Sequence, residues 1–260
     1  FYSQTAALAQ ALFPGVTDPL ITRSEARDRV VSITGASEIW DRFIDTPIGN
    51  TIERTFQNDV VRGVVLTDCL IGTFAPNSDP ALDANKCFLY HVIGGGTGDW
   101  DVPVGGMGAV SGALLQAARA AGATLISGAS VSAISADIEV TYTQGGETHT
   151  ITGRYVLVNV APTELAKLRN QPAVEPAPEG AQVKVNMVLQ RLPKLKDPSL
   201  SPEAAFGGTF HINETWSQLH TGFESAASGS IPDPLPCEIY CHSLSDPSIL
   251  SPELQQSGAH

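Results

Sequence analysis

Positive charge is scarce in this sequence. Fifteen Lys and Arg stand against 27 Asp and Glu, a formal net charge of −12 over 260 residues. Nucleic-acid binding relies on clustered cations that meet phosphates, and the basic residues here are scattered. Arg23, Arg27 and Arg29 are interleaved with Glu25 and Asp28 and read as the solvated face of a helix. Cysteine is rare too: four residues are too few to staple a chain of this length. Long apolar runs are missing, so no segment reads as a transmembrane helix, and no N-terminal signal segment is visible. The expectation is a cytoplasmic protein, or a mitochondrial one if eukaryotic, with no nucleic-acid partner and no membrane span. With 42% hydrophobic residues there is material for one large or two modest domains. The chain opens at Phe1 and stops at His260 without a terminating element, which reads as a piece of a longer chain or as a trimmed one.

No metal-ligand set is expected. Cys237 and Cys241, followed by His242, lie in a stretch that reads as a strand, where residues four apart stand roughly 13 Å apart. Direct ligation needs both within about 2.3 Å of one ion. All four cysteines therefore read as buried thiols acting as small hydrophobes. Ser243 beside His242 is sequence adjacency alone, because strand neighbours point to opposite faces.

The richest local pattern starts at Gly105-Gly106-Met107-Gly108. Met107, Val110, Leu114, Ala117, Ala118 and Ala121 recur at helical spacing, and Gly122 suits a left-handed helix end. Residues 124–126 read as a short buried strand, and 130–134 as the next. Ile138, Val140 and Tyr142 alternate with polar residues, Gly145-Gly146 makes a tight turn, and the chain returns through 148–151 as a hairpin. Residues 155–160 are nearly all apolar, as in a strand buried on both faces, and Ala161-Pro162 ends them. The order is helix, strand, hairpin, strand, about half of a dinucleotide-binding unit without its phosphate loop.

The flanking regions differ from each other. Residues 3–13 read as a helix. Thr46 before Pro47 reads as an N-cap and first-turn proline, with Ile48, Ile52 and Phe56 following at spacing four. Asp59 opens another apolar segment, and residues 75–80 are loop. Boundaries are expected at 94–96 and in the proline-rich stretch 171–180. Beyond it, Val183, Val185, Met187 and Leu189 alternate as in a strand, and 206–212 and 237–242 are weaker strand candidates. Gly94-Gly95-Gly96-Thr97-Gly98 follows the apolar Tyr90-His91-Val92-Ile93, as a phosphate loop follows a strand. It fails the fingerprint, because Asp99 stands where glycine is needed and no helix start follows.

Several stretches carry a resemblance. Trp100 to Val110, the helix to Gly122-Ala123, and Gly128-Ala129-Ser130-Val131-Ser132-Ala133-Ile134 are similar to the middle of phytoene dehydrogenase-like FAD oxidoreductases, within the flavin amine oxidase and carotenoid desaturase group. Leu66-Thr67-Asp68-Cys69-Leu70-Ile71-Gly72-Thr73-Phe74, Phe88-Leu89-Tyr90-His91-Val92-Ile93-Gly94 and Glu238-Ile239-Tyr240-Cys241-His242-Ser243-Leu244 resemble the branch called pyridine nucleotide-disulfide oxidoreductase domain-containing protein 2. The similarity covers nearly the whole chain.

The resemblance implies an α+β fold, with a partial FAD-binding domain and a substrate domain holding a mixed sheet and a helical lobe. Residues 1–98 would be the helical lobe, 99–170 the middle of the FAD-binding domain, and 171–260 the substrate-domain sheet and loops. The residue matching Val131 meets the adenine end of FAD through its backbone in that family. The segment matching Ala161-Pro162 follows a strand bordering the cofactor, and Gly105 and Gly106 match a glycine pair at the helix start. His91, Trp100, His211 and Trp216 are polar-tipped or aromatic residues near matched motifs, and are expected to line a cavity for an apolar or amphipathic substrate. No catalytic side chain is identified, since flavin would accept the hydride. The phosphate-loop and C-terminal FAD pieces lie outside this sequence, so the chain alone is expected to be inactive, and its open faces predict self-association or poor solubility. Two other readings stay open: a cofactor-free module that binds a hydrophobic ligand, and an interaction scaffold derived from the same fold.

Overall fold

Apolar residues at spacings of three and four, with polar caps at the starts, set the helices of the first ninety residues. They are seen in a computed structural model that describes residues 1–13, 18–96, 101–173, 175 and 180–260. Helix α1 (Tyr2–Leu12) buries Leu8, Ala9 and Ala11. Helix α2 (Arg23–Thr34) starts with a capping box between Thr22 and Glu25 and buries only Val30; Arg23 and Arg27 are exposed as expected, whereas Arg29 is half-buried, with its Nη1 shielded from solvent. Helix α3 (Ser37–Trp40) runs into a π-helical turn, Asp41–Asp45, that buries Phe43 and Ile44. Helices α4 (Ile48–Thr55), α5 (Asp59–Thr67) and α6 (Asp83–Ile93) complete the layer. Their core includes Leu8, Val30, Trp40, Phe43, Ile48, Ile52, Leu66 and Phe88. Phe43 and Phe88 stack at 6.1 Å, and Phe1 meets Phe43 edge-on at 5.3 Å.

Asn85 is the polar anchor of this core. It is 2% exposed. Its Oδ1 accepts the Ile48 N–H at 3.0 Å, and its Nδ2 donates to the carbonyls of Phe43 at 2.9 Å and Thr46 at 2.8 Å. The N-cap of α4 is Pro47, which offers no side-chain acceptor. The Thr46 cap expected from sequence is therefore replaced by a side chain 37 positions away.

The chain divides into two units, residues 1–109 with 181–260, and residues 110–180. The division falls inside helix α7 (Gly106–Ala120). In the first unit, helix α9 (Pro202–Phe206) precedes strand β4 (Thr209–Ile212) and helix α10 (Trp216–Ala227) follows it. Two further helices, α11 (His242–Ser245) and α12 (Pro252–Gln256), end the chain. In the second unit, strands β1 (Ala129–Ile134), β2 (Glu139–Gln144) and β3 (Glu147–Thr152) form an antiparallel meander, followed by helix α8 (Pro162–Leu168). The expected hairpin is present, with Gly145 and Gly146 at φ +61° and +88°, as its two-residue turn requires. A register shift between Val131 and Ala133 marks a bulge in β1, which lies at the edge of the sheet. Among the described residues of 110–180, Ala166 alone is buried. In the first unit β4 (Thr209–Ile212) pairs antiparallel with β5 (Cys237–Tyr240).

The fold is mixed α+β, as expected, but several local expectations are overturned. Tyr90 to Ile93 end helix α6 and do not form a strand. Cys87, Phe88 and His91 recur at helical spacing and face the core, which outweighs the short apolar run. Residues 124–126, 155–160 and 183–190 form no ladder. Leu125, Leu157 and Val183 are 45%, 97% and 91% exposed. An extended sequence becomes a strand only where another strand takes its N–H and C=O groups, and among the described residues Leu189 alone in 183–190 has such a pairing, exchanging both bonds with His260 at 2.9 Å, too short a contact to make a ladder. The two sheets among the described residues are antiparallel, where the resemblance implied a mixed sheet. Cys69 and Cys87 are buried, whereas Cys237 is exposed and Cys241 half-buried. A two-stranded ribbon cannot cover both faces of β5.

Candidate functional site

The candidate site is a polar cluster built on the β4–β5 ribbon. His211 and Glu238 are direct cross-strand partners, so the register places their side chains on one face. Glu214 follows β4 after Asn213, which turns the chain at φ +56° and donates from Nδ2 to the Leu235 carbonyl at 3.1 Å. The next residue, Thr215, forms a capping box with Gln218 at the start of α10. Helix α5 holds this corner from below. Its Asp59 carboxylate accepts the Ser217 hydroxyl at 2.5 Å and the Ser217 N–H at 3.3 Å. Its Gly63 lies against the Glu214 backbone, where any side chain would collide.

Within the cluster, His211 Nδ1 is 2.7 Å from Glu214 Oε2 and 3.6 Å from Glu238 Oε1. The Tyr240 hydroxyl donates to the other oxygen of Glu238, Oε2. The Glu214 and Glu238 side chains are only 8% and 14% exposed. Burial, the largest influence, pushes the Glu214 carboxyl upward, the hydrogen bond to His211 opposes it, and the Glu238 charge adds to the rise. Burial and then Glu238 also drive the Tyr240 hydroxyl upward, so it remains a proton donor. Asp68, at the end of α5, feels the same groups. Burial raises its carboxyl, His91 and His211 pull it down, and Glu238 pushes it up. The arrangement is an imidazole held between carboxylates, suited to binding a proton or a cation.

The residues expected from sequence fall in several places. His91 is buried in α6, with Nδ1 2.8 Å from the Cys87 carbonyl oxygen, and His211 is in the cluster. Both influence Asp68. Trp216 opens α10, packs against the core, and accepts the Asn77 Nδ2 proton on its carbonyl at 2.8 Å. Trp100, with Thr97 and Gly98, lies outside the described residues. Surface hollows of about 440 and 260 Å³ are lined by Asn50, Glu53 and Arg54, and by part of α10 with residues 232–234. Neither is lined by His91, His211 or Trp216.

Val131 is 42% exposed on edge strand β1. Ala161 is the N-cap of α8 and Pro162 its first residue. Gly105 and Gly106 have φ +83° and +70°, in the left-handed region that favours glycine. The Gly105 N–H donates to Asp246 Oδ2 at 2.7 Å, and a Cβ on Gly106 would stand 3.2 Å from Ile249. The glycine pair thus serves a close approach of the chain's own 246–249 segment. Sequence reasoning passed over Asp68, Glu214, Glu238 and Tyr240. Three of them lie within the matched stretches 66–74 and 238–244, which was the available signal.

Comparison with known proteins bears on this arrangement. An uncharacterized protein of Mycobacterium tuberculosis and one of Mycobacterium bovis are each 51% identical over 264 residues, covering 100% of this chain and 49% of the relative. The chain spans about half the length of these curated relatives. A rat protein named pyridine nucleotide-disulfide oxidoreductase domain-containing protein 2 is 27% identical over 239 residues, covering 84% of this chain and 40% of the relative. Its mouse counterpart matches at the same identity over 240 residues. The chain is therefore distantly related to oxidoreductase-domain proteins. No family model matches the chain, and no solved structure matches it. No helix among the described residues is long and apolar enough to cross a membrane.

Proposed function

We propose that this chain is the central portion of an FAD-dependent oxidoreductase of the phytoene dehydrogenase-like type, which moves a hydride from an apolar or amphipathic substrate to flavin. One observation carries the reading: residues 110–180 have a helix, a meander and a second helix, yet almost no interior. Val110, Leu114, Leu157 and Val160 stay exposed, and 155–160 is an extended apolar segment without a neighbouring strand among the described residues. Such a unit gains a core only when further strands cover it. The distant relationship to oxidoreductase-domain proteins supports a cofactor domain as the structure so completed.

The residues present fit part of FAD. The edge position of β1 at Val131 suits backbone contact with the adenine end, and Ala161-Pro162 would border the cofactor. The glycine pair fits less well, because the Gly105 N–H is already engaged by Asp246. The chain has no glycine-rich loop of the pyrophosphate-binding type. Bound flavin would supply the hydride acceptor. Residues 1–98 and 171–260 would shape the substrate cavity, with His91, Trp100, His211 and Trp216 as lining candidates. The exposed apolar segments also favour a second reading, an interaction module whose open faces pair with another chain or another copy.

The test is to denature the purified Mycobacterium tuberculosis relative and identify any released cofactor by chromatography and fluorescence. Release of FAD is expected. Release of a nicotinamide nucleotide alone, or of nothing, would remove the flavin reading.

A further inference from the structure

We propose that His211, Glu214 and Glu238 form a binding site for a first-row divalent cation of the Zn²⁺ type. One ligand atom from each of these residues lies within 4.8 Å of the others. The inference needs no bound flavin and shares only His211 with the cavity-lining candidates of that reading.

The donor set defines the ion. An imidazole nitrogen with two carboxylate oxygens suits Zn²⁺ and its neighbours, whereas Ca²⁺ and Mg²⁺ prefer all-oxygen shells with more ligands. Three protein ligands would leave a fourth position for water. The ligands are held from outside in the way such sites require. Tyr240 takes Glu238 Oε2, which leaves Oε1 turned toward His211. Cross-strand register fixes His211 against Glu238, and the Gly63 contact fixes the backbone of Glu214.

Charge argues the same way. Two largely buried carboxylates face one imidazole, and among the described residues both pair with His211. One proton between His211 Nδ1 and Glu214, whichever group carries it, spans 2.7 Å and leaves Glu238 at 3.6 Å. A dication in place of that proton would serve both. Bonds of about 2.1 Å in a tetrahedral shell space ligands about 3.4 Å apart, so closure needs side-chain shifts of about an ångström. Cys237 neighbours Glu238 on β5 and points to the opposite face, which leaves thiolate out of the set.

The test is calorimetric titration of the 260-residue chain with Zn²⁺, with Co²⁺ as a spectroscopic probe. One Zn²⁺ per chain is expected. His211→Ala, Glu214→Gln and Glu238→Gln should each weaken it by about tenfold or more, and Cys237→Ser with Cys241→Ser should leave it unchanged. Bound Co²⁺ should show four-coordinate visible bands without sulfur charge transfer. Circular dichroism checks that the metal-free variants are folded. If His211→Ala unfolds, Glu238→Gln carries the comparison, because it keeps the size of the side chain and an oxygen for Tyr240. Failure of the chain to bind Zn²⁺ saturably would overturn the site. So would affinity that survives the His211 and Glu238 changes, or that disappears with the cysteines.

Discussion

A Cβ on Gly63 would stand 1.9 Å from the carbonyl oxygen of Glu214, so helix α5 and the turn after β4 meet backbone to backbone. The contact ties the first helical layer to the ribbon that carries the polar cluster. Because the clash is with backbone, no rotamer change relieves it. Gly63→Ala is expected to cost about 1–3 kcal/mol or more, as overpacking does. It should also weaken Zn²⁺ binding, since it displaces Glu214. Denaturant unfolding and the titration check both effects. Native stability in the variant would mean that α5 does not press on this turn.

Asn85 holds the end of the π-helical turn and the start of α4 together. Asn85→Ala leaves the Ile48 N–H and the Phe43 and Thr46 carbonyls without their buried partner. A loss of about 2–4 kcal/mol is expected. Asn85→Asp should be as damaging, because a carboxylate can accept from Ile48 but cannot donate to two carbonyls. Chemical denaturation separates the cases: an Asp variant as stable as the native chain would show that the donor side carries no weight.

The Asp68 carboxyl lies above its ordinary value of 3.8, chiefly through burial, with His91, His211 and Glu238 facing it. The folded chain thus keeps the Asp68 proton to higher pH than the unfolded chain. Below 3.8 both states are protonated and nothing is lost. As pH rises from there through the raised folded value, stability falls, and the loss persists at neutral pH. Asp68→Asn removes that penalty. Its Tm should exceed that of the native chain at pH 7, with the advantage gone at pH 3. A lower Tm at pH 7 would show that attraction to the two histidines outweighs burial.

Residues 155–160, nearly all apolar, and 183–188, apolar at alternate positions, are extended and have no ladder neighbours among the described residues. Their amides should exchange with solvent far faster than those of the β1–β2–β3 meander. The matching segments of the longer Mycobacterium tuberculosis relative should be protected, because there the covering strands are expected. Hydrogen exchange by mass spectrometry compares the two. Equal, rapid exchange in both proteins would mean that these segments are not strands of a completed domain.

Elements with local causes were legible in the sequence. The helix after Gly106, the Gly145-Gly146 hairpin and the solvated α2 each follow from spacing, turn glycines or interleaved charge. Failures arose where structure depends on distant neighbours. Residues 155–160 carry a strand sequence, but a ladder needs another strand, and nothing local says whether it is there. Tyr90 to Ile93 looked like a strand because the window was four residues, too short to show the helical spacing that starts at Ala84. Of the cluster, His211 was singled out for its chemistry alone. Glu214 and Glu238 stand three positions after it and directly across the ribbon from it, relationships that appear only once β4 and β5 are paired.

Visible absorption during FAD titration tests most directly the proposal that this chain is the central portion of an FAD-dependent oxidoreductase. The 260-residue chain should be colourless and bind no FAD, whereas the longer Mycobacterium tuberculosis relative should show a bound-flavin spectrum and take up one FAD per chain. A longer relative that neither carries nor binds flavin would contradict the account.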